Sequence, residues 1–403
     1  MHLAILTRQI GHYHGARYRE TSRVVDALTV LSVANEGEFP EFLARDISGF
    51  QVERLFPNRG AYDEAVAAGR MMEAVASRLT KIAPNAVAVS GWTNPESVAA
   101  IYWARRQRVP IVLMSESQAD DAPRQFVRET IKRRIVSLCD AALVGGPPHA
   151  RYVSALGIPS KCVHLGYNAV DNQHFAAGAD RARADAERLR AQHGLPDRYV
   201  LASARFIPKK NLATLVKAYA VAAGGRPDAP HLVILGDGET RSEILAAIAE
   251  SGLGGRVHLP GFRGYDVLPI YYGLADAFVH VSRVEQWGLV VNEAMAAGLP
   301  VIVSEPCGVA RSVVDAGQSG WRVAPEIEPI AAALANLFSL GPAEREAMGR
   351  RARLSIQDWG PDKFAAGMRA AIADASRAPS RRPAPWDRAI LWHMSKKVTA
   401  SVA

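Results

Sequence analysis

The feature that most constrains this chain is the recurrence of short apolar runs separated by helix-length stretches. Residues 3–6, 86–89, 111–113 and 141–144 are unbroken apolar runs, each followed within two residues by Gly, Ser or Thr. Runs of that length suit strands buried on both faces of a parallel sheet. Between them, residues 63–82 and 95–108 show helical apolar spacing and open on Asp63 and on Asn94-Pro95, suitable N-cap and N1 residues. The first half therefore reads as a doubly wound α/β domain. A second set follows after residue 195, with strands expected at 199–202, 232–235, 257–259, 277–281 and 300–303. A charged, Ala/Arg-rich helix is expected over 178–194, with a hinge near 166–179. Open α/β sheets bind ligands outside the carboxyl ends of their strands, so two facing domains of this kind imply an interdomain cleft where the chemistry lies.

Composition excludes several other classes. At roughly 150 residues per domain, a chain of 403 residues holds two or three domains. A hydrophobic share of 49% with 22% charged residues is that of a globular protein rather than a disordered or collagen-like one. The three cysteines, Cys139, Cys162 and Cys307, form no C-x-x-C pair, and a reducing cytoplasm is expected. The apolar run before Arg8 is too short for a signal peptide. Residues such as Arg105, Asp276 and Arg283 interrupt every candidate for the stretch of about 18 apolar residues that a membrane span needs. The net charge of 48 − 40 = +8 suits nucleic acid, anionic lipid or phosphorylated small molecules. The absence of zinc-finger spacing and of an aromatic RNA-binding run argues against nucleic acid. His12, His14, His149, His164 and His174 form no metal-ligand pattern and are expected to be structural.

The most informative stretch is residues 284–301, VEQWGLVVNEAMAAGLPV. It follows an expected strand and opens a helix near Leu289, closed by Gly298. The amides near Gly288 and Leu289 then form an anion site at a helix N-terminus, strengthened by the helix dipole. Glu285 before those amides and Glu293 beyond them can accept hydrogen bonds from sugar hydroxyls. A diphosphate flanked by two polyols, a nucleoside-diphosphate sugar, fits that arrangement.

At these residues the chain resembles the retaining glycosyltransferases of family 4, glycosyl transferases group 1, which have the GT-B fold of two facing Rossmann-like domains. Their two glutamates are separated by seven residues, and 293 − 285 = 8 gives that spacing. The resemblance continues through Arg205 and Lys210, residues 235–239, residues 257–262, and residues 319–323 with Pro325. It implies that Arg205 and Lys210 neutralise the diphosphate as the glycosidic bond breaks, that Glu285 contacts the donor sugar and that Glu293 binds the ribose. It also implies donor contacts from Gly261, Phe262, Gln286, Trp287, Gly288 and Leu289, with no metal required. Consistent with that, no D-x-D sequence occurs. Gly15, in the turn expected after the first strand, matches a glycine that the family sets against phosphate; an ordinary βα turn is the competing reading.

Two positions depart from the family pattern. Glu116 stands where many members carry a donor-contacting His and is expected in its place to bind donor or acceptor hydroxyls, and the family's Gly-Gly-x-x-Glu loop reads Cys307-Gly308-Val309-Ala310-Arg311. The implied organisation is an N-terminal acceptor domain over 1–172, a nucleotide-sugar domain over 173–357, helices at about 358–378 returning to the first domain, and a basic tail over 379–403. A sugar-nucleotide epimerase or hydrolase, and a non-catalytic sugar-nucleotide-binding protein, are the alternatives.

The acceptor expected on this resemblance is a carbohydrate or a lipid-linked one, in surface polysaccharide or glycolipid assembly. A helix from Pro123 spaces Arg124, Arg128 and Lys132 at i, i+4 and i+8 beside Phe126, Val127, Ile131 and Ile135. The tail carries Trp386 and Trp392 among basic residues. Both segments suit peripheral contact with the inner face of an anionic membrane. Both also suit ordinary helices, one with a solvated basic face and one packed on the first domain.

Overall fold

The computed structural model describes residues 1–33, 43–44, 46–379 and 381–397; Ser380 and residues 398–403 of the basic tail lie outside them. The chain divides into two compact units, Met1–Ala169 with Pro361–Ala403, and Val170–Gly360.

The first unit is built on a seven-stranded parallel sheet of β1 (His2–Thr7), β2 (Ala27–Ser32), β3 (Gln51–Arg54), β4 (Ala86–Ser90), β5 (Ile111–Ser115), β6 (Ala141–Val144) and β7 (Val163–Leu165), in the order β3-β2-β1-β4-β5-β6-β7. The unbroken apolar runs have a direct explanation. Leu3 and Ile5 point to a core with Ala86, Ala88, Val112, Met114, Phe364, Met368 and Ile372. Ala4 and Leu6 point the other way, to Val87, Val89, Leu113, Val98 and Ile101. With helices on both faces, each side chain of a strand is buried whichever way the pleat turns it. The helix Pro361–Arg377 supplies Phe364, Met368 and Ile372, so the chain returns to complete the unit in which it began.

Three readings change at this level. β2 was not among the expected strands because Thr29 interrupts its apolar run; Thr29 is buried, with its hydroxyl 2.8 Å from His2 Nε2. β3 and β7 escape for a different reason, one being a polar edge strand and the other only three residues long. The helix expected over 63–82 is two, Arg59–Ala67 and Met71–Ile82, divided at Gly69 in the left-handed region (φ 69°). Its N-cap is Asn58, whose side chain accepts from the Ala61 amide at 2.9 Å, rather than Asp63. The Ala/Arg-rich stretch likewise forms two helices, Asn172–Ala184 and Ala186–His193.

The tail also folds. A helix Pro385–Met394 sets Leu391 into the first unit's core, and Arg381 donates to the Ser137 carbonyl at 3.0 Å. The tail-helix expectation of packing on the first domain is met, yet Trp386 and Trp392 remain 66% and 56% exposed.

The second unit has a six-stranded parallel sheet of β8 (Tyr199–Ser203), β9 (His231–Leu235), β10 (Val257–Gly261), β11 (Ala277–His280), β12 (Val301–Ser304) and β13 (Gly320–Val323), in the order β10-β9-β8-β11-β12-β13. Each sheet reverses its strand order once, between β1 and β4 in the first unit and between β8 and β11 in the second. Loops leaving the carboxyl ends of such a pair diverge to opposite faces and open a crevice between them.

Candidate functional site

In the second unit, the loop after β8 carries Arg205 to Lys210 and the loop after β11 carries Ser282 to Gly288, so the reversal of strand order brings the two segments together. Asn211 fastens them. It opens the helix Leu212–Ala223 in the left-handed conformation (φ 62°), and its side-chain amide donates to Val281 O at 3.1 Å and Pro325 O at 2.9 Å. Its carbonyl oxygen accepts from Arg283 Nε at 2.9 Å, and the Arg283 amide donates to Lys209 O at 2.8 Å.

Held this way, Lys210 forms an ion pair with Glu285, 75 residues along the chain. The same carboxylate oxygen lies 3.1 Å from His280 Nε2 and 3.3 Å from Ser282 Oγ. Burial alone pushes the Glu285 carboxyl up; the hydrogen bond from His280 and the charge of Lys210 more than offset it, so the group is held well below the usual carboxylate range. His280 is itself buried, and burial above all lowers its pKa against the opposing pull of Glu285. A neutral imidazole facing a carboxylate carries its proton on Nε2 and donates it. The main chain is fixed as well: Gly308 N donates to Glu285 O at 3.3 Å and Val309 N to Trp287 O at 3.1 Å. In the altered glycine loop the Gly308 and Val309 amides are thus spent within the chain, while the Arg311 side chain is exposed and donates to Pro306 O at 3.3 Å.

Gly288 then opens the helix Leu289–Ala296 with φ 101° and no side-chain cap. A positive φ of that size suits glycine, and a Cβ there would sit 3.5 Å from the His280 ring. The first amides of the helix therefore lie beside the Lys210–Glu285 pair. On the same end of the sheet, β10 closes on Gly261, also at positive φ with open space about it, and Phe262 is 40% exposed.

Other expected site residues are placed differently. Trp287 is buried; its indole donates to Asn292 Oδ1 at 2.9 Å and packs on Trp359, so its side chain is internal support rather than a donor contact. Glu293 is fully buried and accepts from the Tyr272 hydroxyl at 2.6 Å. Gln286 and Leu289 are partly exposed. Gly15 is not in a turn at all: the helix His12–Ser22 begins after Gly11, and the Gly15 amide donates to Gly11 O at 3.0 Å. That amide is committed to the helix, and the need for glycine is steric, since a Cβ would lie 2.8 Å from Asp46 O. Glu116 follows β5 in the first unit, where it acts electrostatically on Arg17 and Tyr167. Two of the histidines expected to be structural, His14 and His149, accept from helix-opening amides through Nδ1. His280, Ser282 and Asn211 were not singled out from sequence; the signal available was their position at the ends of β8 and β11.

Among the described residues no three His, Cys, Asp or Glu side chains gather as a metal site, and no helix is long and apolar enough to cross a membrane.

Residues 185–355 match the family described as Glycosyl transferases group 1. A GDP-mannose-dependent alpha-(1-6)-phosphatidylinositol monomannoside mannosyltransferase of Mycolicibacterium smegmatis is 32% identical over 246 residues, 58% of this chain and 62% of the relative. Mannosylfructose-phosphate synthase of Agrobacterium fabrum is 26% identical over 68% of this chain and 59% of its own length. The chain thus spans about three fifths of these relatives. Among solved structures, sucrose-phosphate synthase from Thermosynechococcus elongatus superposes with a TM-score of 0.68 at 21% identity, covering 91% of this chain and 97% of that one. Anabaena HepE in complex with UDP and glucose gives 0.69 at 18% identity, covering 91% and 98%. These two likenesses are of fold, and the fold is GT-B.

Proposed function

From the match of residues 185–355 to the glycosyl transferases group 1, we propose that the chain is a retaining, metal-independent glycosyltransferase that moves a sugar from a nucleoside-diphosphate sugar to an acceptor hydroxyl. The observation that carries the reading is the convergence of Lys210 and Glu285 at the reversal of strand order, beside the uncapped N-terminus of Leu289–Ala296. In this reading the diphosphate takes Lys210 away from Glu285 and seats its oxygens on the helix amides and on Arg205. Breaking the bond between the anomeric carbon and the phosphate oxygen builds charge on the leaving diphosphate. Fixed cations stabilise that charge more than the ground state. Glu285, freed of Lys210 but still held by His280 and Ser282, accepts from a donor-sugar hydroxyl. The acceptor oxygen bonds to the anomeric carbon on the face the diphosphate leaves, and its proton passes to a diphosphate oxygen. Glu293, fully buried on the Tyr272 hydroxyl, meets the ribose once Tyr272 gives way, as Lys210 does for Glu285.

Relatives named for GDP-mannose and neighbours solved with UDP make guanosine and uridine diphosphates the first to test. Calorimetric titration with UDP, GDP and ADP should show one that binds, about tenfold or more weaker in Lys210→Ala and in Arg205→Ala, since each removes a charge-assisted contact. Binding that survives chelation of divalent cations supports the metal-independent form. Failure of every nucleotide to bind folded protein ends the reading in favour of a protein without this chemistry. Product formed from a nucleotide sugar without any acceptor would favour an epimerase or hydrolase.

The proposal extends to surface polysaccharide or glycolipid assembly at the cytoplasmic face of a membrane. Phe126, Val127, Trp386 and Trp392 are exposed apolar side chains in the first unit, Phe126 at 87%, among Arg128, Arg133, Arg388 and Lys396. An ion pair of Arg134 with Asp387, 3.9 Å apart, links the two helices that carry them. Aromatic and basic groups on one surface suit an anionic headgroup layer. Co-sedimentation with vesicles containing phosphatidylglycerol, absent with phosphatidylcholine alone, is the expected result, and equal failure with both would remove the membrane from the proposal.

A further inference from the structure

The first unit holds a guanidinium that the chain itself leaves incomplete. Arg17, in the helix His12–Ser22, is 2% exposed, and its Nη2 is buried with no hydrogen-bond partner. The rest of the group is fixed. Nε donates to Ala169 O at 2.8 Å, and the rings of Tyr167, Phe364 and Tyr13 lie 5.4, 5.9 and 6.0 Å from the guanidinium carbon. All of these residues belong to the first unit.

A buried donor left unmade is costly, and more so on an ion. Stacked rings and a carbonyl hold the fork in one orientation without neutralising it. Glu116, the carboxylate among the groups that act on it, contributes through space. The location has a meaning of its own. Arg17 lies in the helix entered from β1, and Glu116 directly follows β5, the strand next to β4, so both come from segments that leave the carboxyl ends of strands near the reversal between β1 and β4. Arg8, which directly follows β1, also has a buried Nη2 with no partner.

We infer that Arg17 is the oxyanion-binding group of an acceptor site in the first unit, so that the acceptor carries a phosphate or a carboxylate. This deepens the transferase reading and rests on it for the word acceptor; the oxyanion site stands on Arg17 alone. A planar, immobilised guanidinium with an unmade edge matches such a group, whose oxygens supply the missing bonds. Glu116 beside it would accept from an acceptor hydroxyl and would repel an anion that came without one.

The test follows the unfolding temperature of the Lys210→Ala protein, which keeps the diphosphate site from competing, as inorganic phosphate or acetate is raised at matched ionic strength. A ligand of the folded state raises that temperature in a concentration-dependent way. Stabilisation by phosphate, by acetate or by both is expected and tells which oxyanion is preferred. Adding Arg17→Gln should weaken the apparent affinity about tenfold or more, while Glu116→Gln should tighten it. No stabilisation by either anion, or equal stabilisation with and without Arg17, overturns the inference, and the Glu116→Gln arm answers it independently if the Arg17 variant fails to fold. The transferase reading fails separately, through nucleotide titration of the wild-type protein.

Discussion

The two strand-order reversals each carry a cation, and the two are kept in opposite ways. In the second unit Lys210 is paired with Glu285, which is in turn held by His280 and Ser282. In the first unit Arg17 is buried, stacked and bonded through Nε, with Nη2 left unmade. A paired cation is available only to a ligand that outcompetes its partner, as a diphosphate with its several charges can. An unpaired one has already lost its water and is ready for a single anion. The same unit shows that burial does not by itself leave a guanidinium without a counter-charge, because Arg105, comparably buried, makes a two-pronged pair with Asp140, Nη1 to Oδ1 at 2.9 Å, and only its Nε is without a partner.

The largest effect should come from breaking that structural contrast. Asp140→Ala strands Arg105 and should cost about 3–5 kcal/mol in denaturant unfolding, the usual price of an orphaned buried charge. If it costs as little as a surface change, burial in this unit is a poor guide to the state of Arg17. Next, Lys210→Ala should lower turnover about 100- to 1000-fold with the donor identified by titration, in line with the loss of one fixed electrostatic contact at a reacting centre. Gly288→Ala should cost about 1–2 kcal/mol in stability because an L-residue is strained at its φ of 101°; it should also weaken nucleotide binding, while leaving phosphate stabilisation of the Lys210→Ala protein, read at Arg17, in place.

Acidity sharpens the comparison further. His280 has a lowered folded pKa, so the unfolded chain takes up a proton first: its contribution is whole above about 6.5 and is lost as pH falls from there towards the folded value. Glu285, also lowered, contributes above its unfolded value of about 4.5 and loses that contribution below it. Thermal unfolding should therefore show acid destabilisation beginning near neutrality, and His280→Gln should reduce this early stage, to which the other lowered imidazoles His14, His193, His231 and His258 also contribute, while a Glu285 stage remains. His14, lowered to about 3 by burial and then by Arg17, works in the same sense in the first unit. The smallest effect is expected at the tail: Trp392→Ala should change stability by less than about 0.5 kcal/mol, as exposed substitutions do, while reducing vesicle binding.

Much of this molecule was legible as pattern. Residues 3–6, 86–89, 111–113 and 141–144 announced β1, β4, β5 and β6 because strands covered on both faces cannot afford polar positions. The less regular strands were hidden for local reasons, a satisfied Thr29 in β2 and a polar edge in β3. At the site, Lys210 and Glu285 could be named from their motifs, whereas His280 and Asn211 could not. A histidine in an apolar run and an asparagine after two lysines have no distinguishing spacing, and their roles exist only once β8 and β11 are neighbours. Trp287 shows the converse: a residue inside the most informative motif proved to be packing, because motif membership says nothing about which way a side chain turns.

The sequence by itself determined the two α/β units, the likeness to glycosyl transferases group 1 and the helix that opens at Gly288, since periodicity, glycine position and residue spacing are local properties of the chain. Tertiary structure alone decided that Lys210 meets Glu285, that the Gly15 amide is spent on its own helix, and that Arg17 keeps an edge of its guanidinium without a partner. Those outcomes depend on which distant groups approach within about 3 Å, the range at which a hydrogen bond forms, and no spacing along the chain encodes that distance.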